Sequence, residues 1–299
     1  MQGNGLKARL GKHRNALGTR TGFDQLEERL CYSVTVISSP IASGQELKIV
    51  GDAAADTINI LDEGNGHVTV TGESGNLLGA ADNVSVIRVN SKGGADVVSY
   101  TLANPLAHVE KLFFNLGAGA DQLSIDLSAG IDGANLHVTA NGEAGADTIS
   151  ATLGDLATAK AILELNGDEG ADIITVSGAP NVSADSVLKV TLSGNEGKDA
   201  IATALSGTYL GKVVVNVEGG KGVDTISTTL TAQAESTGKL RALARGGKGI
   251  DNVTLNVIDE TIVEEVSTLE VLNAKIIDRP GTDALTFTDN VKVVTGKKA

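Results

Sequence analysis

Residues 212–228 read Lys-Val-Val-Val-Asn-Val-Glu-Gly-Gly-Lys-Gly-Val-Asp-Thr-Ile-Ser-Thr: an apolar strand, a glycine turn ending in Asp224, and a second strand. The same arrangement recurs along most of the chain. With the Asp as reference mark, units fall at Asp56, Asp96, Asp121, Asp147, Asp172, Asp199, Asp224, Asp251 and Asp283. The gaps are 40, 25, 26, 25, 27, 25, 27 and 32 residues. A period of this size marks a solenoid, in which each unit is one coil and stacked coils share a continuous core.

Positions not used to set the register support it. Two residues after each Asp stands an aliphatic residue, from Ile58 and Val98 through Ile226 to Leu285. Nine and seven residues before each Asp stand apolar pairs such as Leu163 and Leu165, or Val215 and Val217. The residue between them is usually polar, as in Lys48, Thr139, Glu164 and Asn216. This alternation is that of a strand with one face inward. Two residues before each Asp stands Gly, except for Ala54 in the first unit. Such turns reverse the chain in few residues, and the Asp accepts hydrogen bonds from turn N–H groups. The predicted fold is all-β, a parallel β-helix or solenoid of about nine coils with about 25 residues per coil.

Composition narrows the function. The chain has 299 residues, 37 of them Gly and 4 Pro, with 2% aromatics and no Trp. Its core must therefore be built from Val, Leu, Ile and Ala. The net charge is −13, although residues 1–20 carry Lys7, Arg9, Lys12, Arg14 and Arg20 and no acid. An acidic rod repels phosphate backbones, so no nucleic acid is expected as partner. The lone Cys31 excludes an intrachain disulfide. No run is long and apolar enough for a transmembrane segment, and residues 1–22 lack the apolar stretch of an ordinary secretory signal.

The organisation reads as two parts. Residues 1–32 form a basic arm followed by a short motif, and 33–299 form a single solenoid domain. The motif, Phe23-Asp24-Gln25-Leu26-Glu27-Glu28-Arg29-Leu30, resembles the N-terminal F-x-x-L-E-x-R segment of planctomycete surface and exported proteins. Cys31 and Tyr32 depart from the Leu pair usual in that family. The resemblance implies export or cell-surface sorting. Within the 40-residue gap, Thr57–Ile60 and His67–Val70 flank Gly64-Asn65-Gly66, which predicts a hairpin. The 32-residue gap carries an acidic insertion, residues 259–265, expected as an exposed strand or short helix.

The turns themselves resemble degenerate calcium-binding RTX nonapeptides, G-G-x-G-x-D followed by an aliphatic residue. Gly219 to Ser227 and Gly246 to Thr254 match in full. The resemblance implies Ca²⁺ held by turn carbonyls and stacked Asp side chains, and the most acidic turns place it at Asp121, Asp147, Asp172 and Asp199. Two features depart from that family: one such turn occurs per ~25 residues, and Lys198, Lys221 and Lys248 sit inside turns. The competing expectation is a ladder of Asp side chains bonding turn N–H groups. No catalytic residue is expected, because the acids are spread evenly by the repeat and His13, His67, His108 and His137 lie in unrelated contexts. The expected function is a non-enzymatic, extracellular or cell-surface structural or adhesive solenoid, whose partner is a surface or matrix component. The runner-up is a polysaccharide-binding or polysaccharide-degrading β-helix enzyme.

Overall fold

Alternating apolar and polar residues make each half of the repeat a strand, and the glycine turns lead into strands rather than helices. The computed structural model describes residues 34–260, 271–277 and 284–288. It is a parallel β-solenoid, as the period predicts. The chain packs as two units, Met1–Tyr32 and Ser33–Ala299. The first unit, and with it the Phe23-to-Leu30 motif, lies outside the described residues, as do residues 261–265 of the acidic insertion.

In each coil the strand before the glycine turn joins one long sheet, A, and the strand after it joins a second, B. Sheet A runs in parallel from Gly44–Val50 to Val271–Ile277, and sheet B from Thr57–Asp62 to Ala284–Thr288. Register is kept residue for residue. Val138 lies opposite Leu112 and Leu163, and Ile149 opposite Leu123 and Ile174. The two apolar columns of sheet A and the aliphatic column of sheet B therefore meet as one core, in which Leu163, Leu165, Val215, Ile174 and Ile226 are all but fully buried. A further column closes the coils on the return side. Leu106, Ile131, Leu156, Val182 and Tyr209 stack through isolated parallel bridges and are buried. Each of these residues stands nine or ten positions after its Asp, and the length variation among coils falls between it and the next Asp.

The first coil is capped. Strand Thr35–Ile41 runs antiparallel to Gly44–Val50 and covers the open edge of sheet A, with Pro40 inside it. On sheet B the predicted hairpin is present as Thr57–Asp62 against Val68–Thr71, and it is extended by Leu77–Ala81. Switching to antiparallel strands, with a Pro that has no N–H to offer, blunts an edge that would otherwise template another chain.

The glycine signature has a stacking cause. Gly145, Gly170, Gly197, Gly222 and Gly249 all have φ between 146 and 154°, a region that side chains rarely enter. A methyl group on any of them would overlap the carbonyl oxygen of the equivalent glycine one coil earlier. The first unit has no coil before it, which explains why Ala54 is allowed there.

Candidate functional site

The reference Asp residues from Asp56 to Asp251 form a buried column at the corner between the two sheets; Asp283 lies outside the described residues. Asp96, Asp121, Asp147, Asp172, Asp199 and Asp224 are each at most 2% exposed. Their bonding runs in one direction. The backbone N–H of Asp121 donates to Oδ1 of Asp147 at 2.8 Å, that of Asp147 to Asp172 at 2.8 Å, and that of Asp172 to Asp199 at 2.9 Å. The series extends from Asp56 donating to Asp96 to Asp224 donating to Asp251. Each carboxylate therefore ties its coil to the one before, rather than closing its own turn as the sequence suggested. Hydrogen bonds to a charged acceptor contribute about 1.5–3 kcal/mol each. Oδ2 of these six residues is buried and makes no hydrogen bond among the described residues. In four of them it faces the first glycine of its own turn: a methyl on Gly142, Gly167, Gly194 or Gly219 would run into Oδ2 of Asp147, Asp172, Asp199 or Asp224. The first glycine of the turn pattern is thus explained by the Asp column, and the second by the stacking of coils.

The four residues predicted as calcium ligands, Asp121, Asp147, Asp172 and Asp199, are brought together in sequence order as neighbours in this column. Around each, an amide donor occupies Oδ1, and in Asp147, Asp172 and Asp199 a turn glycine lies against Oδ2. This set does not supply the six to eight oxygens that Ca²⁺ takes. Among the described residues no group of three or more His, Cys, Asp or Glu is gathered closely enough to hold a metal ion.

Burial raises the carboxyls in this column. Desolvation pushes Asp147 to about 7 and Asp224 to about 6, and it also raises Asp96, Asp121, Asp172 and Asp199; the N–H bonds oppose it. Folded-state values above the unfolded ones mean that the folded chain holds protons the unfolded chain releases. This stability contribution is fully present below about pH 4 and is lost as pH rises through 6 and 7. Melting temperature is therefore expected to fall between pH 5 and pH 8. Asp147→Asn keeps the acceptor and removes the charge, so it should raise stability at pH 8 and flatten the profile. A wild-type profile that climbs toward pH 8 would contradict the buried-carboxyl account.

Outside the column the turn ridge is acidic. Glu143, Asp168 and Asn195, with φ of 70, 70 and 72°, occupy the left-handed position where other coils place Gly. With Glu169 and Glu196 they border an open depression of about 380 Å³. Asn195 donates to Asp168 at 3.0 Å, and Lys221 pairs with Glu196 one coil away, lowering the Glu196 carboxyl. The turn lysine thus neutralises an acid of the adjacent coil.

One cluster escaped the sequence reading. Asp62 and Glu110 are fully buried; the hydroxyl of Tyr100 donates to Asp62 at 2.7 Å and lies 3.3 Å from Glu110. Burial first, then the Asp62 carboxylate, push Glu110 well above the usual carboxylate range. The signal was present: Glu110 stands in an inward column otherwise filled by Leu136, Ala161, Leu188, Val213 and Leu240. Glycoside hydrolysis uses a pair of neighbouring carboxyls, but these two lie inside the core with no exposed surface to meet a substrate. Of the histidines, His67 pairs with Asp82 at 2.6 Å, His137 lies 3.5 Å from Glu164, and His108 lies 3.3 Å from the Gly64 carbonyl; they do not converge. No helix among the described residues is long and apolar enough to cross a membrane.

Comparison with protein-family models, curated proteins and solved structures found no match for this chain.

Proposed function

We propose that this chain is a non-enzymatic, exported structural or adhesive rod. The observation that carries this reading is the outer face of sheet B. Its middle row runs through Ser99, Ser124, Ser150, Thr175, Ser227 and Thr254, one per coil, interrupted by Ala202. Across the three outward positions of the eight strands from Thr57–Asp62 to Asn252–Asp259, the only charged side chain is Asp126. In a chain that is 20% charged, such a face is a sustained departure. Flat, hydroxyl-bearing and repeated at the strand spacing of ~4.8 Å, it suits contact with a repetitive surface rather than with one small molecule. The column acids are engaged in holding coils together, which supports a scaffold over a catalyst.

Export rests on the resemblance of Phe23 to Leu30 to the planctomycete surface-protein motif. Deleting residues 1–32 in the native host should abolish surface location while leaving the purified rod folded. Retention of the truncated chain at the surface would remove the sorting part of the proposal. To test adhesion, Ser150 and Thr175 are replaced together by Lys, which breaks the charge-free row without touching the core. Binding of the full chain to host envelope preparations should drop; unchanged binding would move the contact to another face.

Calcium stabilisation, which the turn resemblance implies, has the column geometry against it and is put to the test separately. An ion would have to draw on the Oδ2 atoms that make no hydrogen bond among the described residues. Melting of the full chain with Ca²⁺ and with a chelator decides it, since an ion bound only to the folded state raises the melting temperature. A rise abolished by Asp147→Asn with Asp172→Asn would place the ion at the column. A melting curve indifferent to both additions would leave the N–H ladder alone.

A further inference from the structure

Charge on the outer face of sheet A is segregated across the strands. The two outward rows nearest the strand starts are Val109, Asn135, Lys160, Val187, Lys212, Lys239 and, beside them, Lys111, His137, Ile162, Lys189, Val214, Arg241. Half of these twelve positions are Lys or Arg and none is acidic, in a chain with 24 basic and 37 acidic residues. Apart from Glu164 and Glu218, which face outward in the middle rows, the outward acids of the same strands lie at the opposite end, on the ridge of Glu143, Asp168, Glu169 and Glu196. About eight residues of extended strand, ~26 Å, separate strip from ridge. That is some three Debye lengths at physiological salt, so the strip presents its own positive field despite the net charge of the rod. Lys189 and His137 lie within 3.4 and 3.5 Å of Glu164 in the next row. Among the described residues Lys111, Lys160, Lys212 and Arg241 make no ion pair with a carboxylate. Asp132, Asp185 and Glu235, in the loops just before these strands, are exposed and bound the strip in sequence.

The strip also contains a shaped recess. Val109, Lys111, Asn135, His137, Lys160 and Ile162 line a depression of about 260 Å³, with Val109 55% exposed; Glu110 and Leu136 also border it but are buried. Its apolar side chains are flanked by two ammonium groups, an amide and an imidazole. We infer that this strip binds a linear anionic polysaccharide, with one acidic sugar ring seated in the recess. The C–H face of a pyranose suits Val109 and Ile162, its carboxylate suits Lys111 and Lys160, and its hydroxyls suit Asn135 and His137. From Lys111 to Arg241 the strip crosses six stacked coils, ~24 Å, so several sugar units lie along it. A nucleic acid is a poorer match, because single strands are held by exposed aromatic platforms. No aromatic residue stands in either row. The strip lies on the other sheet from the Ser/Thr face, so this inference stands or falls separately from the adhesive reading.

The test titrates the full-length chain with polygalacturonate, with neutral dextran and poly-dT in parallel, at about 50 and about 200 mM salt. Expected are saturable binding of the polyuronate, at least about tenfold weaker at the higher salt, and no binding of dextran. Lys160→Glu with Lys212→Glu should weaken binding by about tenfold or more, because two contacts become repulsive. Lys248→Glu, on the turn ridge, should leave it unchanged. Both variants replace exposed side chains, and unchanged melting confirms that they are folded. Wild-type affinity in the double variant would overturn the inference and shift the binding to the basic residues 1–20. Equal binding of dextran, tighter binding of poly-dT, or no polyuronate binding at the lower salt would each overturn it as well.

Discussion

Gly197→Ala is expected to abolish cooperative folding of the middle coils or to cost at least about 4 kcal/mol. Gly197 has φ 146°, and its missing side chain makes room for the carbonyl oxygen of Gly170 in the coil before. That oxygen belongs to a backbone held on both sides by the parallel ladder, so it cannot step aside as a side-chain tip would. The methyl group would separate two coils, and with them the N–H of Asp172 from Oδ1 of Asp199. Gly133→Ala is the matched control. Gly133 also has positive φ, 66°, but open space surrounds its Cα, so only the conformational penalty of about 1 kcal/mol applies. Urea titration of the two variants separates collision from strain. Equal, small losses would mean that the glycine column serves turn geometry alone and not coil stacking.

Val215→Asp should be nearly as damaging, and its neighbour shows why direction decides. Val215 is fully buried, stacked between Val190 and Ala242. A carboxylate placed there has no N–H waiting for it, unlike the column acids, and an unpaired buried charge costs several kcal/mol. Val214, one residue earlier, points outward between Lys189 and Arg241. Val214→Asp should change stability by no more than about 0.5 kcal/mol. A well-folded Val215→Asp variant with unaltered melting would contradict the inward assignment of the whole column, because the register carries that assignment from coil to coil.

The repeat was legible because parallel stacking makes the same demand at the same place in every coil. Val215, Leu192 and Ile226 announce the core by position alone, and the turn glycines announce a backbone that side chains cannot follow. Local order of this kind propagates, so a period read by eye predicts sheet membership, facing and architecture. The hairpin at Gly64-Asn65-Gly66 was legible for a similar reason, since its turn chemistry is contained in three residues.

What the tertiary structure alone decided concerns partners in other coils. The sequence shows an Asp in each turn, but whether it bonds its own turn or the next coil depends on a coil rise that no single unit contains. The burial that lifts Asp147 to about 7 has the same origin, because it is the neighbouring coils that exclude water from the corner. The return column from Leu106 to Tyr209 stands at a near-constant nine or ten residues after each Asp, but only the stack of coils shows that it closes the core. Glu110, Asp62 and Tyr100 come together only because a short return path folds three separated positions into one interior. The basic strip of sheet A, likewise, is scattered lysines in the chain and becomes a continuous charged surface only when the coils are stacked in register, since proximity across coils is set by the stack and not by the sequence interval.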